Sequence, residues 1–331
     1  MKRRNFIQGS LQAGVAFSIL GVYSCKSEKK KEQVVEATEE EKVMPVVKIS
    51  LAQWSIHRMI KEEGLDPYRF AEKAKEWGFG GLEYVNQLYD NEPNTKGFSE
   101  EAMRHFVQRS KAESEKHGLE NLIIMIDHEG NLSAADDMER KEAVENHHKW
   151  VDAAAELGCH SVRVNLMGSK EAEEWTAASI DGLTQLSTYA KEKNINVIVE
   201  NHGGFSSHAG MLVEVIKKVG MSNCGTLPDF GNFCVKREDG SYFSSPCVEE
   251  YDRYKGIQEL MPYAKAVSAK SHDFDEEGNE VHTDYTRMLE IVTAAGYSGY
   301  VGVEYEGNDL GEEAGILATK ELIQKVMQKP V

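Results

Sequence analysis

From Val46 onward, short runs of β-branched and apolar residues alternate with longer segments in which apolar residues recur at helical spacing. The short runs predict eight strands: Val46–Ala52, Gly80–Tyr84, Leu122–Asp127, Ser161–Asn165, Ile195–Glu200, Gly225–Asp229, Ala266–Ser271 and Tyr300–Glu304. The longer segments predict the helices between and after them: Tyr68–Trp77, Glu100–His117, Lys141–Leu157, Ile180–Lys193, Ala209–Val219, Val248–Met261, Tyr285–Ala295 and Glu312–Met327.

Eight strand–helix units of this length predict a (β/α)8 TIM barrel, an α/β fold, over residues 46–331. Glycines that follow several predicted helices suit helix C-caps just before the next strand. The alternative, a doubly wound open sheet, typically has a glycine-rich phosphate loop after an early strand. Because no GxGxxG follows any predicted strand, we favour the barrel, as a single domain.

The first 25 residues have the pattern of an export signal. Lys2, Arg3 and Arg4 precede an apolar segment that is short for a bilayer span, and the paired arginines resemble a twin-arginine signal. The segment ends in VYSC, similar to a lipoprotein cleavage box, which makes Cys25 the candidate for lipidation. Tyr23 departs from the small residue usual in such a box, so plain signal cleavage is the alternative.

Residues 26–45 are highly charged without apolar periodicity, which is typical of a flexible tether. The sequence therefore predicts an exported, periplasmic protein held at the membrane only by an N-terminal lipid. A cytosolic protein with an apolar N-terminus is the less favoured alternative.

The charge balance argues against nucleic acid as a partner. The formal net charge is −17, and removal of residues 1–25 with their three basic side chains makes it −20. A nucleic-acid partner would require a basic surface. The four remaining cysteines, Cys159, Cys224, Cys234 and Cys247, show no zinc-site spacing. Two of them can pair in an oxidising compartment, but the spacing does not say which two.

Polar side chains close nearly every predicted strand. The apolar run before Glu200 ends in Glu200-Asn201-His202, and burying an acid and an imidazole at a strand end is costly unless they bind something. The other strand ends carry Gln53, His57, Glu83, Asn86, Asp127, His128, Asn165, Asp229, Lys270, His272, Asp273, Glu304 and Glu306. Since active sites of barrels lie at the carboxyl ends of the strands, these residues predict one pocket.

Glu200, Asp229 and Glu304 end strands five, six and eight, and would repel one another without a cation between them. Carboxylates with an imidazole suit Mn²⁺, Mg²⁺ or Co²⁺, and Zn²⁺ is also compatible. The alternative is that the acids pair with arginines or cap helices. No arginine lies close to strand ends five to eight, which favours the metal.

These residues resemble the xylose-isomerase-like TIM barrels, a family that includes sugar phosphate isomerases and epimerases. The best motifs are VENHGG at residues 199–204, LPDFGN at 227–232 and GYSGYVGVE at 296–304. The resemblance spans residues 46–328 and implies a metal held by Glu200, Asp229, a strand-seven histidine and Glu304. It also implies that Glu200 and Glu304 move the proton alpha to a sugar carbonyl through an enediolate.

Strand seven departs from the family pattern His-x-His-x-Lys-Asp, because residues 268–273 read SAKSHD. Lys270 falls on the ligand histidine and His272 on the lysine. Both are expected to point inward, so His272 is the candidate fourth metal ligand and Lys270 a candidate catalytic acid or electrostatic clamp. The alternative is that Lys270 only pairs with Glu304 or Asp229.

Three further residues are candidates for substrate contacts: His202, Asn165 and Glu83, the last with a structural role in the barrel as its alternative. Four aromatic residues near strand ends are expected either to form an apolar wall against the sugar or to pack the loops: Trp54, Phe205, Phe230 and Phe233.

The sequence thus predicts a metal-dependent sugar isomerase or epimerase. Its export favours free or oxidised sugars over sugar phosphates. A lyase or hydratase acting on a 3-keto sugar or glycoside through the same intermediate is the main alternative. The others are a non-catalytic sugar-binding lipoprotein and a metal-dependent DNA-repair endonuclease, which the charge disfavours. The expected partner is a small sugar, and the sequence is compatible with a homo-oligomer.

Overall fold

The computed structural model describes residues 47–90 and 98–328, and eight parallel strands form its central sheet. Six of them come first in the chain: Lys48–Ala52 (β1), Gly81–Val85 (β2), Glu120–Met125 (β3), Ser161–Val164 (β4), Asn196–Glu200 (β5) and Cys224–Leu227 (β6). Val267–Ser271 (β9) and Tyr300–Tyr305 (β10) complete the sheet, in the order β6-β5-β4-β3-β2-β1-β10-β9. Bridges Thr226–Ala264 and Asp229–Ser268 join the two edges, so the sheet closes into the predicted barrel.

Helices connect the strands and pack around them: His57–Lys61 (α1), Phe70–Glu76 (α2), Glu100–His117 (α3), Asp137–Leu157 (α4), Ala172–Glu192 (α5), Ala209–Val219 (α6), Arg253–Leu260 (α7), Tyr285–Ala294 (α8) and Glu312–Met327 (α9). Their boundaries follow local chemistry. The carboxylate of Asp136 accepts from the first backbone N–H groups of α4, and Gly158 ends that helix with a φ of +87°.

One predicted helix, Val248–Met261, is wrong at its start. Cys234–Arg237 (β7) and Cys247–Glu250 (β8) pair as an antiparallel hairpin, and α7 begins only at Arg253, after the Asp252 cap. A disulfide joins Cys234, the first residue of β7, to Cys247, the first residue of β8, whereas Cys159 and Cys224 are free and buried. The hairpin lies in the connection between β6 and β9, on the side of the barrel where the strands end.

The predicted signal, the tether and Cys25 lie outside the described residues. In the part of the chain that the structure describes, no helix is long and apolar enough to cross a membrane.

Glu83 is an acid inside the barrel wall. It lies mid-strand in β2, is 1% exposed, and accepts a hydrogen bond from Ser50 Oγ at 2.6 Å. Gly302 makes room for it, since a Cβ there would be 2.5 Å from Glu83 Oε1. The other oxygen, Oε2, has no hydrogen-bond partner among the described residues. Burial raises the pKa of Glu83 to about 7, so the folded protein holds this carboxyl protonated in mildly acidic solution.

Replacement of Glu83 by Gln is expected to change how stability depends on pH. Because the folded pKa lies above the unfolded one, the wild-type protein loses stability as pH rises from about 4.5 through 7. The Gln variant lacks this loss, so it should gain about 3 kcal/mol relative to wild type between pH 4.5 and pH 8. Urea unfolding at both pH values measures the difference, with exposed Glu142→Gln as control. Parallel pH profiles for wild type and Glu83→Gln would contradict the assignment.

Candidate active site

A cavity of about 660 Å³ opens at the carboxyl ends of the strands. Its walls come from the ends of β2 to β5 and β10, from α4 and from the β7–β8 hairpin. The residues that line it include Trp54, Arg163, Glu200, His202, Phe243 and Glu304. This is the end of a TIM barrel at which catalytic groups are found.

Three buried carboxylates converge beside this cavity. Glu200 ends β5, Asp229 follows β6, and Glu304 lies in β10; their exposed fractions are 2%, 0% and 4%. One oxygen from each lies within 4.8 Å of the others. The structure therefore brings together the three acids that the sequence placed at the ends of strands five, six and eight.

Local hydrogen bonds hold Asp229 in place. Its Oδ1 accepts from the backbone N–H groups of Gly231 and Asn232, both at 2.9 Å, which is the reason for the tight turn after β6. Asn232 Nδ2 in turn donates to Glu200 Oε1 at 3.0 Å. Residues 229–232, DFGN, thus supply the acid Asp229 and also orient Glu200 on β5.

Ser268 of β9 links the two remaining acids. Its Oγ is 2.6 Å from Asp229 Oδ2 and 2.9 Å from Glu304 Oε2. A hydroxyl has one proton to donate, so both contacts are hydrogen bonds only when one of the carboxyls is itself protonated. Burial raises the pKa of both acids, which favours a proton on one of these two carboxyls.

The expectation that the acids lack an arginine partner is wrong. Arg163 in the middle of β4 is 4% exposed, and its Nε lies 3.0 Å from Glu200 Oε2 in an ion pair. Its Nη1 donates to Asp127 Oδ1 at 2.8 Å. Although burial alone would raise the pKa of Asp127, the Arg163 charge lowers it to about 2. Arg163 lies within β4 and not at a strand end. A charged residue inside the apolar run SVRV is the sequence signal that indicates a buried arginine.

Lys270 lies beneath the cavity rather than in its wall. The ammonium, on a side chain 2% exposed, donates to Glu306 Oε1 at 3.1 Å. It lies 3.7 Å from Glu304 Oε2 and 3.9 Å from Asp229 Oδ2, too far for hydrogen bonds. Burial lowers the pKa of Lys270, but the surrounding carboxylates outweigh it and raise the pKa well above its usual value. Lys270 therefore acts on the acids as a fixed positive charge.

His272 does not join the carboxylate group. β9 ends at Ser271, so the inward alternation expected for residue 272 does not continue, and the His272 backbone packs against Gly307. Its ring lies 6.2 Å from that of His282. Among the described residues, the group that could hold a metal consists of Glu200, Asp229 and Glu304 without an imidazole.

The three carboxylates fit a divalent cation by donor chemistry and spacing. Their oxygens are hard ligands and converge to within 4.8 Å. The Lys270 ammonium lies 3.7 Å from Glu304 Oε2 and 3.9 Å from Asp229 Oδ2, and its hydrogen bond goes to Glu306 instead of these two acids. A site of this composition suits Mg²⁺ or Mn²⁺ better than Zn²⁺, since it lacks nitrogen and sulfur ligands.

His202 and Asn165, the predicted substrate contacts, line the cavity, but Glu83 does not. Asn165 Nδ2 donates to Asp127 Oδ1 at 2.7 Å, and its Oδ1 lies 2.9 Å from His202 Nδ1. The amide oxygen only accepts, so Nδ1 of His202 carries the proton. Burial lowers the pKa of His202, which leaves Nε2 as an acceptor for a hydroxyl.

The aromatic wall differs from the predicted one. Trp54 lines the cavity, but Phe230 and Phe233 are fully buried and Phe205 packs against Trp175. Phe243 at the tip of the β7–β8 hairpin, which the sequence analysis missed, lies 4.8 Å from the His202 ring and is 52% exposed.

Tyr242, the neighbour of Phe243, holds the hairpin tip against the barrel loops. Its ring packs on Gly204, where a Cβ would be 2.7 Å away, and its hydroxyl accepts from Gly168 N at 3.2 Å. Gly204 has a φ of +60°. The glycine is therefore needed for both conformation and space. Together with the Cys234–Cys247 disulfide, this contact places Phe243 over the cavity.

The family model described as "Xylose isomerase-like TIM barrel" matches residues 71–326, and the chain belongs to that family. The resemblance seen in the sequence motifs is thus confirmed.

Individual relatives are more distant. A C-glycoside deglycosidase alpha subunit of Arthrobacter globiformis is 35% identical over 79 residues, which span 22% of this chain and 22% of that protein. The structure of 3-keto-D-glucoside 4-epimerase from E. coli superposes with a TM-score of 0.60 at 15% identity, covering 85% of this chain and 100% of that one. A xylose isomerase-like TIM barrel protein from Mycobacterium smegmatis, in complex with magnesium, gives a TM-score of 0.56 at 18% identity, covering 86% and 97%. These structural likenesses show the fold.

Replacement of Lys270 by Met should destabilise the protein by about 3–5 kcal/mol, because it leaves buried Asp229 and Glu304 and partly buried Glu306 without the nearby positive charge. Adding Glu306→Gln should recover part of that loss, since it removes the acid to which Lys270 donates. Urea unfolding at neutral pH measures both variants. Lys75→Met on the exposed face of α2 is the control, with an expected change within about 0.5 kcal/mol. A Lys270→Met loss no larger than the control would contradict the fixed-charge role.

Proposed function

We propose that the protein is a metal-dependent sugar isomerase or epimerase that moves a proton on the carbon alpha to a carbonyl. The observation that carries this proposal is the pairing of Glu200 and Glu304. They converge at the floor of one cavity but have different surroundings. Two carboxyl groups that share one cavity but differ in their hydrogen-bond and charge partners suit the roles of an acid–base pair.

Glu200 suits the role of base. Its carboxylate is ion-paired with Arg163 and accepts a hydrogen bond from Asn232, so its orientation is fixed beside a positive charge. Glu304 suits the role of acid, because burial raises its pKa and Ser268 links it to Asp229. In the forward direction Glu200 removes the alpha proton, giving an enediolate, and Glu304 returns a proton to the opposite face. The pair exchanges roles in the reverse direction.

Glu200, Asp229 and Glu304 would hold the divalent cation. When bound, such an ion polarises the sugar carbonyl and stabilises negative charge on its oxygen. The chain's own residues do the rest. His202 and Asn165 orient hydroxyls, Phe243 and Trp54 cover apolar ring faces, and Lys270 donates a hydrogen bond to Glu306 in the cavity wall.

The substrate class that we favour is an oxidised sugar, such as a 3-keto sugar or its glycoside. One structural neighbour is a 3-keto-D-glucoside 4-epimerase. We also propose that the protein acts after export, as the N-terminal pattern predicts; the Cys234–Cys247 disulfide supports an oxidising compartment. Lipid attachment at Cys25 belongs to the same proposal.

A second candidate function is carbon–oxygen or carbon–carbon bond cleavage by β-elimination at a 3-keto glycoside. The short match to a C-glycoside deglycosidase alpha subunit favours it. It starts with the same proton abstraction, so the same residues are required.

The proposal is tested by incubating the purified protein and a divalent metal with ketoses and 3-keto-glucosides in D₂O. Deuterium should appear at the carbon alpha to the carbonyl, as followed by NMR. Glu200→Gln and Glu304→Gln should each slow this exchange about a hundredfold or more, because each removes one proton-transfer group.

Glu249→Gln, on the exposed hairpin strand β8, is the matched control and should exchange at the wild-type rate. Release of the aglycone together with exchange would select the elimination reaction over epimerisation. No exchange above background with any substrate and any metal would rule out both.

A further inference from the structure

The cavity extends well beyond the reactive carboxylates. Glu200 and Glu304 lie on β5 and β10, whereas another part of the same cavity is lined by residues after β3 and on α4. We call this part the β3 arm and define it by Ile126, Glu129, Asn131 and His147. The volume of about 660 Å³ falls within the range of pockets that enclose ligands of drug size, larger than a single hexose.

His147 presents a hydrogen-bond acceptor to this arm. It lies on α4, is 3% exposed, and its Nδ1 is 2.7 Å from the backbone oxygen of Ala143. A carbonyl oxygen only accepts, so Nδ1 carries the proton. Burial lowers the pKa of His147 to about 4, which keeps the ring neutral and leaves Nε2 as a bare acceptor.

The direction of the ring follows from the same contact. Nδ1 of His147 faces the backbone of its own helix. The opposite edge of the ring, which carries Nε2, therefore faces the cavity. No hydrogen-bond donor to Nε2 is found in residues 47–90 and 98–328. An acceptor that faces a cavity and has no donor from the protein is available to a donor group of a ligand.

The carboxylate of the arm, Glu129, already has donors within the protein. Glu129 accepts from Trp150 Nε1 at 2.6 Å and from Lys149 Nζ, whose charge balances it. Gly130, with a φ of +94°, lets the loop lie against α4, since a Cβ there would be 2.9 Å from Ala143 Cβ. His147 is therefore an uncharged acceptor in this arm that has no donor among the described residues.

We propose that His147 accepts a hydrogen bond from a hydroxyl on the second ring of a glycoside whose keto-sugar ring lies over Glu200 and Glu304. This inference rests on the proposed function for the position of the first ring. In this role His147 determines which group attached to the sugar is bound best, and it takes no part in proton transfer.

The test compares three kinds of 3-keto-β-glucoside in the D₂O exchange assay: methyl, phenyl, and the three hydroxyphenyl isomers. With wild-type protein, at least one hydroxyphenyl isomer should have a KM about tenfold below that of the phenyl glucoside, at similar kcat. His147→Phe should remove this advantage and leave kcat and the KM of the methyl glucoside within twofold. His147→Gln, whose amide oxygen can accept, should keep part of it.

His148→Phe is the matched control, since His148 is the next residue on α4 but stacks on Tyr189 outside the cavity. It should behave as wild type. The role of His147 is overturned, while the proposed function stands, in two cases. In the first, no hydroxyphenyl isomer has a lower KM than the phenyl glucoside. In the second, the lower KM persists in His147→Phe. If His147→Phe lowers the exchange rate equally on all substrates, the histidine is purely structural, and the proposed role is also overturned. Absence of exchange with every glucoside would overturn the proposed function and this inference with it.

Discussion

The site depends on the cost of burying several carboxylates at one end of a barrel. Glu200, Asp229 and Glu304 are almost inaccessible to solvent, and their oxygens converge to within 4.8 Å. Water cannot screen them there, so the charge has to be balanced by protons or by cations. Every polar feature around the cavity follows from the way in which this balance is reached.

Two fixed cations do part of the balancing, and each is tied to an acid outside the triangle. Arg163 bridges Glu200 and Asp127, while Lys270 donates to Glu306. Burial still raises the pKa of Asp229 and Glu304, which indicates that the two cations do not fully compensate the cluster. The negative charge that remains can be neutralised by a proton on Glu304 or by a divalent ion. The first provides an acid for catalysis, and the second provides an electrophile.

The barrel and the convergence of its acids were predictable because both depend on regular strands. Buried parallel strands read as apolar runs, and their carboxyl ends meet at one face, which brought Glu200, Asp229 and Glu304 together. Features that depend on where a strand stops, or on contacts distant in sequence, were not predictable. His272 lies past the end of β9, Arg163 lies inside β4 rather than at its end, and Phe243 reaches the cavity through a hairpin that a long-range disulfide closes.

The central claim is that the carboxylate triangle is a cation site, and metal analysis of the purified protein tests it most directly. After incubation with Mn²⁺, Co²⁺, Mg²⁺ or Zn²⁺ and gel filtration, mass spectrometry of the metals should find about one ion per chain in wild type. Asp229→Asn should lose the ion, while Lys270→Met, which removes a nearby positive charge, should retain it. A wild-type protein that holds no ion yet exchanges the alpha proton after treatment with a chelator would contradict the account.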